Sequence, residues 1–193
     1  MPYLVRMRTI LRPAAAALVL FAALAATGCT PEPAKPHTPA PSSTPLFASD
    51  EEALAAAEEA YAAYVAVNDQ VYEDGGVGAE RLEQVATGAQ LEADTLGMNE
   101  VARLGYHSSG KTSFDNISLQ QYQPDAADGV SVVTVYLCQD VSGIDVFDPS
   151  GNSVVLETRP DRTKFEVSFD RADSASERSL LVSNRSPWSE QSC

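Results

Sequence analysis

The chain has 193 residues and is strongly acidic, with 27 aspartates and glutamates against 13 lysines and arginines and a formal net charge of −14 at pH 7. A surface of this sign repels nucleic-acid phosphates and anionic lipid headgroups, so the composition argues against nucleic-acid binding. Thirteen of the acids fall in residues 50–104, where Arg81 and Arg103 are the only arginines or lysines. Such a skew is typical of a solvated helical face, and a docking surface for a basic partner is the alternative.

The first 28 residues have the plan of an export signal. Arg6, Arg8 and Arg12 form a positive segment that contains no acid, and an apolar stretch rich in alanine and leucine follows over residues 14–26. This stretch has the length of a signal-peptide core and is too short for a comfortable membrane span. The sequence therefore predicts export across the cytoplasmic membrane.

The apolar stretch ends in Ala-Thr-Gly-Cys at residues 26–29, which resembles the lipobox of bacterial lipoproteins. The resemblance implies that residues 1–28 are removed, and that fatty acyl chains such as palmitate on Cys29 hold the protein on the outer face of the cytoplasmic membrane. The mature chain would then lose three arginines and carry a net charge of −17. The alternative is an ordinary secretory signal cut after Ala25, since the motif usually has Leu in place of Ala26.

Residues 29–47 are predicted to be a tether. Six prolines between residues 31 and 45 exclude a helix and favour extended polyproline II, which at about 3.1 Å per residue would reach about 50 Å from the membrane. His37 lies in this stretch and is interpreted as a linker residue. The remaining residues, 48–193, are enough for one domain with its own core.

That domain begins with helical patterns. Ser49 and Glu52 form a capping box, and the apolar residues behind them recur at helical spacing until residues 74–76, Asp-Gly-Gly, end the helix. A short second helix is predicted over residues 80–86. A second capping box, residues 87–90, would open a third helix that ends at Leu104 and Gly105.

Beyond Gly105 the hydrophobic period changes to two, which indicates strands. The pattern predicts strands over residues 117–122, 130–138, 144–147, 154–156, 165–169 and 180–182, with a hairpin turn over residues 148–152. Residues 130–138 are apolar on both faces and should form a central strand. Helices followed by strands make this an α+β domain with its N-terminal helices packed in an antiparallel sheet.

Three cysteines are present, and lipid on Cys29 would consume one of them. Cys138 and Cys193 remain as an even pair in an oxidising compartment, so a disulfide between them is predicted. It would tie the end of the chain to the central strand. Trp188, the sole tryptophan, should pack beside it.

The order of helix, short helix, helix and antiparallel strands resembles the nuclear transport factor 2-like (cystatin-like) fold, whose curved sheet wraps the first helix as a cone with an open mouth. The stretch 138–151 and the tail 188–193 are similar to exported lipoproteins of high-GC Gram-positive bacteria that carry such a domain. Domains of this family often pair through the open sheet face, so the resemblance also allows a homodimer. Fold alone assigns no chemistry.

The predicted pocket of the cone is formed by Tyr61, Tyr64, Tyr136 and Asp140. One hypothesis is a non-enzymatic binding or scaffolding module for a small apolar ligand or an envelope protein. The alternative is an isomerase- or cyclase-type enzyme, in which Asp140 would be a base with a raised pKa and a tyrosine would hold an enolate oxygen. His107 is interpreted as a surface-loop residue. Neither a metal site nor a cofactor is predicted, because no local ligand spacing for one is present.

Overall fold

The computed structural model describes residues 45–127, 129–172, 179–189 and 193. Cys29, the export signal and the tether up to residue 44 lie outside the described residues. The elements are α1 (Asp50–Glu73), a 3-10 helix (Ala79–Gln84), α2 (Gly88–Leu104), β1 (His107–Ser109), β2 (Ser113–Tyr122), β3 (Val133–Asp140), β4 (Asp145–Phe147), β5 (Arg162–Arg171) and β6 (Leu180–Pro187). Among the described helices, none has the length and apolar composition needed to cross a membrane.

The strands form two antiparallel sheets. The larger sheet has the order β2-β3-β5-β6, and β1 pairs with β4 in a separate two-stranded sheet. The prediction of an α+β domain with antiparallel sheets is confirmed. The apolar stretch at 130–138 indeed provides an interior strand, since β3 pairs on one side with β2 and on the other with β5.

The core lies between α1 and the larger sheet. Ala53, Ala57 and Tyr61 follow one another at a spacing of four and are fully buried, so a single stripe of α1 packs inward. It contacts the buried valines and leucine of β3 and the buried Phe169 of β5. Two alanines in the first turns leave room for the helix to approach the strands closely.

The two predicted capping boxes have different outcomes. The first is confirmed, because Ser49 Oγ accepts a hydrogen bond from Glu52 N at 3.2 Å and Glu52 Oε2 accepts one from Ala48 N at 2.7 Å. The second prediction is wrong. Thr87 precedes α2 but makes no side-chain cap, and Gln90 is buried with its amide donating to the Tyr64 hydroxyl. Because the Gln90 side chain binds the interior Tyr64 hydroxyl, it does not cap the start of α2.

The hairpin after β4 is also shorter than predicted. Its turn forms as expected, with Asp148 Oδ1 accepting hydrogen bonds from the N–H groups of Ser150 at 2.8 Å and Asn152 at 2.9 Å. Residues 154–156 form no strand, however. One bridge joins Phe147 to Ser153, and beyond it the chain continues as an irregular segment. β4 itself is only three residues long, so the second arm of the hairpin has little strand to pair with.

Both ends of the folded domain are fixed to the sheet. Phe47, the last residue of the predicted tether, is 2% exposed and exchanges two 2.8 Å hydrogen bonds with the Tyr122 hydroxyl. The packing therefore begins at least one residue before the predicted domain start. At the other end the predicted disulfide is present, with the Cα atoms of Cys138 and Cys193 5.7 Å apart. Trp188 packs beside it on Tyr136, with ring centroids 4.8 Å apart.

Candidate ligand-binding cavity

A cavity of about 460 Å³ opens beside the C-terminal half of α1. It lies among α1, the ends of β1 and β3, β4, the irregular segment 154–159 and one side chain of β6. Its volume falls in the range of about 300–1,000 Å³ that small-molecule sites occupy. The lining residues are Tyr64, Val65, Asn68, Asp69, Tyr72, Tyr106, Ser108, Thr112, Gln139, Val141, Ile144, Val146, Val154, Val155, Leu156, Arg159 and Arg185.

Seven aliphatic side chains form the apolar part of the wall. Val65 comes from α1, Val146 from β4, and the others from the β3–β4 connection and residues 154–156. Leu156 is 72% exposed although it lines the cavity, which places it at the entrance. An exposed leucine at an apolar entrance is available to cover a bound apolar group.

One buried carboxylate lines the cavity, that of Asp69 on α1, which is 8% exposed. Its two oxygens accept hydrogen bonds from Thr112 N at 2.8 Å and Thr112 Oγ1 at 2.7 Å. Buried charges require such partners, because burial removes their hydration. Asp69 therefore holds the β1–β2 turn against α1 with both of its oxygens.

Tyr61 and Tyr64 continue this polar layer along α1. Tyr64 donates its hydroxyl hydrogen to Asp94 Oδ2 at 2.8 Å and accepts a hydrogen bond from Gln90 Nε2 at 3.0 Å. Tyr61 donates to Gln139 Oε1 at 2.6 Å. Burial raises the pKa of both tyrosines above the usual value, so both stay neutral in ordinary buffers.

Two arginines bring positive charge to the cavity wall. Arg185 donates from Nη1 to Gln139 Oε1 at 2.6 Å, and its guanidinium lies 4.6 Å from the Phe165 ring centroid. Arg159 donates from Nη2 to the carbonyls of Val141 at 2.9 Å and Ile144 at 3.0 Å. Its Nε is buried and has no hydrogen-bond partner among the described residues.

Not all of the four residues predicted for the pocket lie at the cavity. Tyr64 lines the cavity, and Tyr61 contacts it through Gln139. Tyr136 and Asp140 are not among the residues that line it. Side chains of a strand alternate between faces, so the placement of Gln139 towards the cavity directs Asp140 and Tyr136 to the opposite face.

Asp140 has none of the properties that the isomerase-type alternative required. Its carboxylate accepts hydrogen bonds from Ser142 Oγ at 2.6 Å, Ser142 N at 2.9 Å and Arg162 Nη1 at 2.9 Å. These donors, Ser142 first, lower the pKa of Asp140 to about 2, whereas a general base in an apolar pocket needs a raised value. Asp140 is thus a surface ion-pair residue.

His107 is exposed, as expected, but belongs to β1, with its ring centroid 5.5 Å from that of Phe147. The described residues contain no group of three or more histidine, cysteine or acidic side chains placed to bind a metal ion. Sequence reasoning missed Asp69, Arg159 and Arg185. A signal existed for Asp69 alone, which follows Tyr61 and Val65 at a spacing of four on the buried stripe.

No family model matches the chain, and no curated protein does. Among solved structures, the chain is similar to the intermembrane space region of chloroplast protein ARC6, at 15% sequence identity and a TM-score of 0.47, over 68% of this chain and 92% of that one.

Proposed function

We propose that the chain is an extracytoplasmic lipoprotein, anchored through Cys29, whose domain binds a small apolar ligand without catalysing a reaction. The observation that carries the ligand part is the cavity of about 460 Å³ with its seven aliphatic wall residues. Burial of apolar surface contributes about 25 cal/mol per Å², so a ligand of this class would gain most of its affinity from that wall.

The polar groups of the cavity support binding over catalysis. Both oxygens of Asp69 accept hydrogen bonds from Thr112, and the Tyr61 and Tyr64 hydroxyls already donate to Gln139 and Asp94. A catalytic base needs a free lone pair within reach of the substrate proton. Each oxygen of Asp69, the described carboxylate of the cavity, already accepts one hydrogen bond from the protein's own scaffold.

We extend the proposal to the shape of the domain. A nuclear transport factor 2-like cone would have the cavity at its mouth and α1 along its axis. The packing of α1 on the buried faces of β3, β5 and β6 supports this arrangement. In such a cone the outer sheet face would remain available for a second copy of the chain or for an envelope protein.

Filling the cavity should abolish ligand binding. We expect Val155→Trp to weaken binding of a neutral probe, 1-octanol, by at least about tenfold, because the indole would occupy space among the aliphatic wall residues. Isothermal titration of the full chain in phosphatidylcholine nanodiscs, with empty nanodiscs as the blank, measures this.

The matched control is Val77→Trp, which adds the same side chain at a position that is 69% exposed and outside the cavity. Its affinity for 1-octanol should equal that of the wild type. If neither the wild type nor the control binds 1-octanol, the proposed binding of a neutral apolar ligand is wrong. Equal binding by all three proteins would place the ligand elsewhere.

Cys29→Ser should release the protein from the membrane. The substitution removes the only thiol at the predicted lipidation site, so the exported chain should move from the membrane fraction to the medium. Fractionation of the native host followed by immunoblotting measures the shift, and mass spectrometry of the wild type should find acyl chains on an N-terminal Cys29. An unmodified N-terminus that begins before Cys29 would refute the anchor.

A further inference from the structure

The arginines of this domain fall into two groups. Arg81, Arg103 and Arg162 each form an ion pair with a carboxylate, as expected in a chain with 27 acids and 13 lysines and arginines. Arg159, Arg171 and Arg185 form no ion pair within 4 Å with a carboxylate of the described residues. Of these three, Arg159 and Arg185 line the cavity.

The hydrogen bonds of Arg159 and Arg185 leave donors unused. A guanidinium has five N–H donors. Arg185 uses one of them on Gln139 and Arg159 uses Nη2 on two backbone carbonyls, all of which are neutral acceptors. The buried Nε of Arg159 has no acceptor among the described residues, and a buried donor without one costs free energy.

No described carboxylate that lines the cavity forms an ion pair with them, and Asp94 acts on Arg185 only from beyond 4 Å. Asp69 is the one carboxylate among the lining residues, and its oxygens are bonded to Thr112. With two arginines and one aspartate, the lining residues carry a net charge of +1 inside a domain of strongly negative sequence. Positive charge that lies beside an apolar wall and outside any described ion pair is suited to an external anion.

We infer that the ligand of this cavity is an amphiphile with a single anionic head group, a carboxylate or a phosphate monoester, that Arg159 and Arg185 bind while its apolar part contacts the aliphatic wall. The inference rests on the proposed binding function and specifies its ligand class. The two arginines act as specificity residues, because a neutral amphiphile would leave both guanidiniums without a charged partner.

Four probes with the same eight-carbon chain test the inference: octanoate, octyl phosphate, 1-octanol and octylammonium. In titrations of the full chain in phosphatidylcholine nanodiscs, we expect at least one anion to bind about ten- to a hundredfold more tightly than 1-octanol, and octylammonium to bind least. Whichever anion binds better identifies the head group. Arg185→Gln and Arg159→Gln should each remove most of that preference while leaving 1-octanol affinity within about twofold.

Arg162→Gln is the matched control, since it removes the same charge from an arginine outside the cavity, and it should keep the preference for the anion. Arg159→Lys separates loss of charge from loss of folding and should keep part of the preference, with urea unfolding showing that each variant is folded. The inference is wrong if 1-octanol binds as tightly as both anions. It is also wrong if Arg162→Gln weakens anion binding as much as the cavity variants do. In both cases the binding function stands. If no probe binds, the binding function itself fails.

Discussion

Replacing Cys138 and Cys193 together by serine should lower the free energy of unfolding by about 4 kcal/mol. The disulfide joins residues 55 positions apart, so its loss releases a large closed loop in the unfolded chain. Cys138 is also 2% exposed on the interior strand β3, where a serine hydroxyl would require a hydrogen-bond partner. Urea unfolding followed by Trp188 fluorescence measures the change, because Trp188 packs beside the bond on Tyr136.

Reduction of the wild type provides the control for this prediction. Dithiothreitol should move the urea midpoint of the wild type to that of the double serine variant and leave the variant unchanged. A wild-type midpoint that does not respond to the reductant would mean that the native protein lacks the bond. A larger loss in the variant than in the reduced wild type would measure the cost of the buried serine at position 138.

The sequence predicted the parts of the fold that depend on local patterns. The Ser49 cap involves residues three positions apart, and the interior strand β3 needs only a run of apolar residues. Each of these signals is contained within about ten residues of the chain. Local patterns therefore predicted that α1 and β3 exist, although β3 spans Val133–Asp140 where residues 130–138 were predicted.

The face of a strand was harder to predict. Gln139 and Asp140 are adjacent, and either could have ended β3 on the cavity side. The register with β5 decides it, because β3 and β5 pair residue for residue from Val133 opposite Phe169 to Asp140 opposite Arg162. This pairing also brings Arg162 to Asp140, and a register shifted by one residue would exchange the faces.

The charged residues of the cavity depend on still longer-range contacts. Arg159 and Arg185 stand far apart in sequence and meet the cavity through the β3–β4 connection and the end of β6. Nothing in their own neighbourhoods distinguishes them from surface arginines. Their position in the cavity wall becomes visible only in the tertiary structure.

Gly76, between α1 and α2, also depends on tertiary structure. We expect Gly76→Ala to lower the free energy of unfolding by about 2–5 kcal/mol. Gly76 has φ +80°, in the left-handed region. A Cβ atom there would lie 2.2 Å from the Met98 carbonyl oxygen and 3.1 Å from Ala102 N, both backbone atoms of α2. The side chain could enter only by moving α2 and the small core of Val71, Leu82 and Met98.

Two further substitutions separate the causes. Gly151→Ala has nearly the same dihedral, φ +81°, but its Cβ would have nothing within 4 Å, so it should show the backbone strain alone, about 1–2 kcal/mol. Gly97→Ala lies in α2 with open space around it and should instead stabilise the protein by about 0.5–1 kcal/mol. Urea midpoints measure all three. If Gly76→Ala lowers the free energy of unfolding no more than Gly151→Ala does, the 74–76 turn does not contact α2. A larger loss measures how strongly that contact holds α2 in place. Gln90 and Asp94 of α2 bind the Tyr64 hydroxyl beside the cavity.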